Sequence, residues 1–192
     1  MAEPARGRIV VISGPSGVGK TTVVRRLREC SALPLDVAVS ATTRPARPGE
    51  INGVDYHFMT AEEFQRRRQG GEFVECFEVF GGGHWYGTLW SEITPRLEAG
   101  RWVVLGIDVH GAEAVRQRFP EAITIFLKPG SLEQLEKQLR GRRTEPDEAI
   151  QRRLAEAERE LAQAERFQFQ VVNDTVDHAV GQICQILMRS GG

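Results

Sequence analysis

The stretch RIVVISGPSGVGKTTVVRRLREC, residues 8–30, decides the fold of this chain. Residues 8–13 form a short apolar run rich in β-branched side chains, which is typical of a buried strand. Residues 21–28 repeat apolar side chains at helical spacing, and a glycine-rich loop joins the two segments. Strand, loop and helix in this order predict the first unit of an α/β fold.

The glycine-rich loop matches the phosphate-binding pattern G-x-x-x-x-G-K-[ST]. Its glycines let backbone N–H groups point at phosphate oxygens, and the following helix adds positive potential at its N-terminus. Lys20 is expected to reach the β and γ phosphates, and Thr21 to bind Mg²⁺. The residues predicted to bind the nucleoside triphosphate here are Gly14, Pro15, Ser16, Gly17, Val18, Gly19, Lys20, Thr21 and Thr22. Because GTPases, ATPases and kinases share this loop, it indicates nucleotide binding without choosing among them.

Similar apolar runs recur along the chain, with helical patterns between them. The later predicted strands cover residues 37–39, 102–107, 122–127 and 169–172. This alternation predicts a parallel sheet covered by helices. A chain of 192 residues, 41% of them hydrophobic, is long enough for one well-buried core, so we expect a single domain.

Two regions interrupt the alternation. Residues 38–95 are rich in turn formers and aromatic side chains, which suggests an inserted lobe. The short strand candidates within it are residues 54–58, 72–77 and 84–88. Residues 131–167 are strongly charged, and Thr144 is expected to cap a helix within them. That helix has one apolar stripe, so its Glu, Gln and Ala residues are expected on a solvated surface.

Composition limits the classes of partner. The formal net charge of -1 argues against general attraction to nucleic acid or to an anionic membrane, so a small-molecule partner is expected. Three cysteines without metal-like spacing fit unpaired thiols in a reducing compartment. The opening residues MAEPARGR lack the apolar segment of a signal peptide, and no later apolar run approaches membrane-spanning length. We therefore expect a cytoplasmic protein. The sequence is compatible with both a monomer and a homo-oligomer.

Two further groups of polar residues suggest phosphate chemistry. The apolar run 102–107 ends in Asp108, as expected of an acidic residue near Mg²⁺, with a turn or helix cap as the alternative. Arg44, Arg47 and Tyr56 lie in the loop-rich region. Arginine forks pair with phosphate oxygens and a tyrosine hydroxyl adds a donor. This trio therefore either holds a second phosphate or belongs to a solvated loop.

Several ordered motifs together resemble the guanylate kinase family, nearly from end to end of the chain. They are SATTRPARPGEINGVDYHF at 40–58, the phosphate loop GPSGVGKT, GEFVE at 71–75, YGT at 86–88, IDVHGA at 107–112 and VVND at 171–174. The resemblance implies a P-loop NTPase-type parallel sheet flanked by helices, with an inserted mixed α+β lobe that binds GMP and a helical lid. The implied boundaries are a core of residues 5–37, 96–130 and 168–192, a GMP-binding lobe of 38–95 and a lid of 131–167.

The activity that the resemblance implies is transfer of the γ-phosphoryl group of ATP to GMP or dGMP, giving ADP and GDP, with Mg²⁺ required. By similarity, the residues that act on the transferring group are Lys20, Arg44, Arg47 and the lid arginines Arg142 and Arg153. The residues that match GMP-binding positions are Ser40, Arg44, Arg47, Tyr56, Glu75, Tyr86, Thr88 and Asp108. Thr21 and Asp108 are the candidate Mg²⁺ ligands. Asn173 matches a position near the adenine of ATP, with a turn residue after a strand as the alternative.

The assignment of Glu75 to the guanine has a chemical rationale. The Watson–Crick edge of guanine offers two adjacent donors, N1–H and N2–H₂, which suit an ionised carboxylate. Adenine has an acceptor at N1, so a buried carboxylate facing AMP would lose its partners, at about 1–3 kcal/mol or more. Without the resemblance, an exposed strand residue would be the preferred interpretation of Glu75.

Three features depart from the family pattern. Gly106 stands where an acidic residue is usual, which predicts a weaker Mg²⁺ or phosphate environment and slower turnover. The segment 79–86 is longer than the usual connection and places Trp85 where tyrosine is common, which alters the expected rim of the guanine pocket. Gln138 occupies a lid position that often carries arginine, with Arg140 nearby as a substitute.

Three other functions compete with an active guanylate kinase. Some relatives are non-catalytic binding modules, which usually lack a complete phosphate loop. A P-loop kinase for another phosphorylated acceptor, such as a sugar phosphate, would be separated by its failure to use GMP. A GTPase switch would need an Asn-Lys-x-Asp motif, which the sequence lacks, and no basic stripe supports binding of DNA or RNA.

Overall fold

The computed structural model describes residues 7–79, 83–140 and 147–191. The strands in these residues are β1 (Ile9–Ser13), β2 (Leu35–Val37), β3 (Ala41–Thr42), β4 (His57–Phe58), β5 (Phe73–Val79), β6 (His84–Leu89), β7 (Trp102–Gly106), β8 (Ile123–Pro129) and β9 (Phe169–Asn173). The helices are α1 (Lys20–Cys30), α2 (Ala61–Gln69), α3 (Trp90–Glu98), α4 (Val109–Arg118), α5 (Leu132–Arg140), α6 (Asp147–Leu161) and α7 (Val176–Ser190).

The central sheet has five strands in the order β2-β7-β1-β8-β9, and all neighbouring pairs are parallel. Helices cover both faces, which explains why the strands are almost continuously apolar. Val11 of β1 packs in the cluster that contains Ile93 of α3 and Val115 of α4. Ile12 points to the opposite face and packs in the cluster of α1 and α7. The α/β class and the P-loop NTPase-type sheet predicted from the sequence are confirmed.

The carboxyl ends of the parallel strands position the site. β1 lies in the middle of the sheet, and the loop that follows it leads directly into α1. Asp108 follows the neighbouring strand β7, and Asn173 ends the edge strand β9. Ligands of open α/β sheets bind at this edge, outside the carboxyl ends of the strands. The phosphate loop, Asp108 and Asn173 therefore share one edge of the sheet.

A second, mixed sheet is built from residues between 41 and 89, in the strand order β4-β3-β6-β5. β3 pairs with β4 in parallel and with β6 antiparallel, and β5 pairs with β6 antiparallel. Helix α2 packs on this sheet through Phe64, whose ring lies 4.5 Å from that of Phe73. Thr60 caps the helix by accepting a hydrogen bond from the Glu63 N–H. The sheet thus has a small core of its own, centred on these aromatic rings.

Two predicted strands are corrected by the structure. The strand expected at 37–39 is Leu35–Val37, and the strand expected at 54–58 contains only His57–Phe58. The second error has a local cause, since Asp55 Oδ2 accepts the Ile51 N–H over 2.7 Å and Asn52 Oδ1 accepts the Phe58 N–H over 2.8 Å. These side chains close a turn where the pattern of apolar residues predicted extended chain.

Three further predictions concern the start of α6, the cysteines and membrane-spanning helices. The helix start predicted at Thr144 lies outside them, and α6 is described from Asp147 onward. Cys30, Cys76 and Cys184 are free cysteines, as predicted. Within the three described ranges, no helix is both long enough and apolar enough to cross a bilayer.

Candidate active site

The phosphate loop has the backbone that its glycines were expected to provide. Gly14 and Gly19 have φ angles of 146° and 94°, a region that side chains disfavour. A Cβ on Gly14 would collide with the carbonyl of Leu127, and one on Gly19 would lie 2.8 Å from Asn173 Nδ2. Neighbouring strands therefore approach the loop too closely for any residue larger than glycine.

Lys20 begins α1 and turns its ammonium group back over the loop. Its Nζ donates hydrogen bonds to the carbonyls of Gly14 and of Pro15, the latter over 3.2 Å. Thr21 and Thr22 follow in the first turn and are exposed. The loop thus presents a lysine, two hydroxyls and a helix N-terminus at one place, which is the chemistry required to bind phosphate.

Ser16 connects the phosphate loop to helix α6. Arg153 Nη2 donates to Ser16 Oγ over 2.6 Å, and the Ser16 N–H donates to Glu160 Oε2 over 3.2 Å. Arg153, one of the two predicted lid arginines, therefore contacts the phosphate loop. Arg142, the other predicted lid arginine, lies outside the described residues.

Glu160 corrects the expectation that the acidic residues of α6 lie on a solvated surface, because it is only 4% exposed. Burial raises the pKa of the Glu160 carboxyl, although the charge of Lys20 and the Ser16 N–H oppose this rise. The sequence contained one signal for this position. Arg153, Ala157 and Glu160 share one face of the helix by their spacing, and that face is the one turned inward.

The side chain of Asn173 holds the backbone of the phosphate loop through a hydrogen bond. Its side chain is 4% exposed, and its Nδ2 donates to the Val18 carbonyl over 2.7 Å. The prediction placed Asn173 near the adenine of ATP. In the structure its amide contacts the loop backbone, a contact that shapes the loop, and its position near the adenine stays a prediction.

Arg44 and the two predicted tyrosines form one cluster on the second sheet. Arg44 Nε donates to Tyr86 Oη over 3.2 Å, and its guanidinium carbon lies 5.4 Å from the centre of the Tyr56 ring. The rings of Tyr56 and Tyr86 meet edge to face at 5.9 Å. Burial raises the pKa of Tyr56, which keeps its hydroxyl protonated as a donor. Three of the residues predicted to hold a second phosphate are thus brought together.

Glu50 belongs to this cluster and was not predicted. The guanidinium of Arg44 donates to both of its carboxylate oxygens, over 2.9 and 3.0 Å, and the Arg47 N–H donates to it over 2.7 Å. Partial burial opposes ionisation of Glu50, but the bonds from Arg44 and Arg47 lower its pKa overall. The sequence contained one signal for Glu50, an acidic residue that follows two arginines closely and comes directly after a glycine. The side chain of Arg47 itself is exposed.

Glu75, Thr88 and Asp108 form a second polar cluster, between the second sheet and α4. Thr88 Oγ1 donates to Glu75 Oε1 over 2.6 Å, and a Cβ at Gly111 would lie 3.0 Å from Glu75 Oε2. Asp108 caps α4, since its Oδ1 accepts the Gly111 N–H over 2.8 Å. The cap that the sequence offered as an alternative for Asp108 is therefore present. Glu75 is buried, so the alternative of an exposed strand residue is wrong.

Burial is the largest influence on the Glu75 carboxyl. It raises the pKa of Glu75 to about 7, opposed by the hydrogen bond from Thr88 and assisted by the nearby charge of Asp108. A carboxyl group in such surroundings changes charge near neutral pH. Strong perturbation by burial together with specific partners is typical of functional groups in clefts.

The remaining predicted positions take separate places. Ser40 is half-buried just before β3, and its carbonyl accepts the His57 N–H over 2.9 Å. Trp85 packs against Phe64 and under the guanidinium of Arg68, whereas the next residue, Tyr86, points to the Arg44 cluster. Because side chains alternate along a strand, Trp85 lies on the other face of β6 from that cluster.

Comparison with known proteins identifies the family of this chain. The sequence model of the guanylate kinase family matches residues 6–190. Guanylate kinase from Rhodopirellula baltica is 51% identical over 183 residues, or 95% of this chain and 88% of that protein. Guanylate kinase from Rubrobacter xylanophilus is 44% identical over 185 residues, or 96% of this chain and 95% of that protein. The crystal structure of guanylate kinase from Anaplasma phagocytophilum gives a TM-score of 0.80 at 32% identity, covering 97% of this chain and 87% of that chain. This chain belongs to the guanylate kinase family.

Proposed function

We propose that this protein transfers the γ-phosphoryl group of ATP to GMP or dGMP, giving ADP and GDP. The observation that carries the proposal is a buried carboxylate, Glu75, bonded to Thr88 in a chain that also has a complete phosphate loop. The loop accounts for a nucleoside triphosphate, and the carboxylate accounts for a guanine, whose edge offers two adjacent donors. The Arg44 cluster provides the matching site for the acceptor phosphate.

In the proposed reaction, an oxygen of the GMP phosphate bonds to the γ-phosphorus as the bond to the ADP oxygen breaks, in line and without a covalent protein intermediate. Lys20 holds the β and γ phosphates, and Arg44 and Arg47 orient the acceptor phosphate. Tyr56 and Tyr86 donate neutral hydrogen bonds to the same group. The protein contributes orientation and positive charge rather than a nucleophile of its own.

The guanine is proposed to lie against Glu75, Thr88 and Ser40, with Asp108 nearby. A carboxylate accepts from both N1–H and N2–H₂, and the hydroxyl of Thr88 holds one carboxylate oxygen in place. The burial of Glu75 and Thr88 supports this assignment. Selectivity for guanine over adenine follows, because adenine would leave a buried charged acceptor without its donors.

Helix α6 is proposed to carry part of the lid. Arg153 reaches the phosphate loop through Ser16, so its guanidinium is close to where the transferred group would lie. With Arg142, it would stabilise charge on the transferring group and help to exclude water, which competes with GMP as acceptor. We accordingly propose residues 131–167 as the lid, residues 38–95 as the GMP-binding lobe, and the remaining residues from 5 to 192 as the core.

Thr21 and Asp108 are the residues proposed to hold Mg²⁺, and their oxygen ligands suit this ion. Kinase sites hold Mg²⁺ through few protein ligands together with phosphates and water. Thr21 provides an exposed hydroxyl next to Lys20, and Asp108 follows β7, the strand that pairs with β1. Within the described residues, no three His, Cys, Asp or Glu side chains are grouped to hold a metal alone. When bound with ATP, Mg²⁺ would neutralise charge on the β and γ phosphates.

The proposed partners are ATP and GMP, and neither nucleic acid nor membrane is needed for the reaction. Free cysteines are the usual state in a reducing compartment, and we propose the cytoplasm as the location.

The proposal is tested by measuring ADP release from MgATP with GMP, AMP, CMP or UMP as acceptor, beside a control without acceptor. We expect release with GMP, and its loss in Lys20→Met, whereas Lys137→Met on α5 should retain it. Nucleotide binding without transfer to any acceptor would instead support a binding module. Transfer to a sugar phosphate but not to GMP would support a different P-loop kinase.

A further inference from the structure

Helix α6 buries one acidic side chain against the phosphate loop. Glu160 is 4% exposed in the last turn of this helix, whose other described charged side chains are exposed or half-buried. Its Oε2 accepts the Ser16 N–H over 3.2 Å. Arg153, on the same face of the helix, donates to Ser16 Oγ over 2.6 Å. Two side chains of opposite charge therefore hold the same residue of the loop.

Burying the Glu160 carboxylate costs free energy, so the presence of a charged side chain here calls for a functional explanation. A carboxylate removed from water loses hydration that one hydrogen bond does not replace. Lys20 and the Ser16 N–H favour its ionised form, whereas Asp108 and Glu156 disfavour it, and burial raises its pKa. A glutamine would accept the same hydrogen bond without burying a charge. A purely structural tie between helix and loop would thus not require glutamate.

The position of the Glu160 carboxylate beside the phosphate loop suggests a function for its charge. N–H groups of a phosphate loop are donors for phosphate oxygens, and Lys20 is the cation of the same loop. Glu160 takes one such donor and lies within the field of that cation. A bound polyphosphate and the carboxylate would meet there as two negative groups that share donors. Their repulsion would be strengthened because Glu160 and Ser16 are only 4% and 8% exposed.

We infer that Glu160 is a positioning residue of the phosphate loop, which holds Ser16 in place through its hydrogen bond and weakens polyphosphate binding through its charge. This inference rests on the proposed function, since it concerns the loop that would bind ATP. The two effects have opposite signs. The hydrogen bond favours the binding conformation of the loop, and the charge opposes the ligand, which limits affinity and favours release of the product ADP.

Two substitutions separate the hydrogen bond from the charge. Glu160→Gln keeps an acceptor for Ser16 but removes the charge, so affinity for MgATP and for inorganic tripolyphosphate should rise about tenfold in calorimetry. Glu160→Ala removes both, so affinity should fall below that of Glu160→Gln by at least the same factor. Glu158→Gln removes an exposed charge from the same helix and should change affinity less than twofold. Equal shifts in Glu160→Gln and Glu160→Ala would overturn the inference, as would unchanged affinity in both.

A second measurement separates this inference from the proposed function. If the unmodified protein binds neither MgATP nor tripolyphosphate, the proposed function fails. The ¹⁵N–¹H resonance of Ser16 then still reports on Glu160, because its shift depends on the acceptor of this N–H. We expect a large change of that resonance in Glu160→Gln and little change in Glu158→Gln. Equal, small changes in both variants would show that Glu160 does not hold the loop.

Discussion

Thr88 Oγ1 and Glu75 Oε1 lie 2.6 Å apart, and the two residues are register partners on the adjacent strands β6 and β5. The strand pairing therefore fixes the orientation of a carboxyl group that is 7% exposed. Burial, which outweighs the hydrogen bond from Thr88, raises its pKa to about 7. The group proposed to recognise guanine is thus held rigidly and changes charge near neutral pH.

The affinity for GMP should depend on pH through Glu75. Only the ionised carboxylate accepts hydrogen bonds from both donors of guanine. Because the pKa of Glu75 is raised to about 7, about half of the protein molecules carry the ionised form at pH 7. We expect the dissociation constant of GMP to fall roughly tenfold between pH 6 and pH 8. The phosphate of GMP also titrates, but it does so for Glu75→Gln as well. Calorimetry on both proteins should therefore show the additional tenfold change only with Glu75 present, and parallel pH profiles would contradict its assignment.

The stability of the protein alone should change with pH in the opposite sense. Glu75 has a folded pKa of about 7 against an ordinary value of 4.5, so the folded state binds more protons in that interval. Stability from this group therefore decreases as pH rises from 4.5 to 7, by about 3 kcal/mol in total. Glu75→Gln should be more stable than the unmodified protein at pH 8 and nearly equal to it at pH 5. Urea unfolding at the two pH values measures the difference, and a variant that is less stable at pH 8 would refute this prediction.

Glu50 should matter for GMP and not for ATP. Its carboxylate holds both the guanidinium of Arg44 and the backbone of Arg47, and the side chains of Glu50 and Arg44 are 19% and 11% exposed. Hydrogen bonds to charged groups contribute about 1.5–3 kcal/mol, so Glu50→Gln should raise the KM for GMP roughly tenfold or more. The KM for ATP should stay within twofold. Glu62→Gln, an exposed acid on α2, is the control, and a lower KM for GMP in Glu50→Gln would show that Glu50 competes with the substrate instead.

Asn173 should act on the phosphates of ATP through the loop. Asn173→Ala removes the bond to the Val18 carbonyl and leaves that buried acceptor unpaired, so stability should fall by about 1–3 kcal/mol. Affinities for MgATP and for tripolyphosphate should fall by the same factor, because the loop binds phosphates in both. Gln170→Ala, on the exposed face of the same strand, should change neither affinity. Weaker binding of MgATP with unchanged binding of tripolyphosphate would instead support the predicted position of Asn173 near the adenine.

The fold and much of the site could be predicted because their signals are local. Buried parallel strands are apolar on both faces, so β1, β7 and β8 stand out in the sequence. The phosphate loop combines fixed glycines with Lys20 within a few residues. The cluster of Glu75, Thr88 and Asp108, which is proposed to bind guanine, was predicted only through the motifs of a resembling family, since Glu75 alone has no distinguishing local pattern.

The missed residues depend on contacts that the sequence does not display. Glu160 is one acid among several in a charged helix, and only the approach of the phosphate loop makes it different. Glu50 is adjacent to a turn in the sequence, but its proposed role depends on the hydrogen bond that the Arg44 side chain donates to it, which the sequence does not display. The predicted strand at 54–58 was wrong for the opposite reason. Asp55 and Asn52 accept backbone hydrogen bonds that close a turn, and these bonds override the apolar pattern.

Gly106 offers room for the acidic residue that the sequence lacks. It ends β7 beside the phosphate loop, is exposed, and a Cβ there would meet only Val24 Cγ2 at 3.6 Å, an ordinary contact. Gly106→Asp should therefore fold normally and place a carboxylate near the proposed Mg²⁺ position. We expect turnover to rise about two- to tenfold, which corresponds to at most about 1.4 kcal/mol, with half-maximal activity at lower Mg²⁺ concentration.

The control for this change is Gly106→Asn, which has nearly the same size and no charge. If charge is what matters, Gly106→Asn should have the turnover and the Mg²⁺ dependence of the unmodified protein. Steady-state rates across a series of Mg²⁺ concentrations distinguish the two variants. Equal gains in both would assign the effect to chain stiffness, since replacing glycine restricts the backbone whatever the side chain. A loss in Gly106→Asp alone would show that the added charge repels the phosphates more than it attracts the metal.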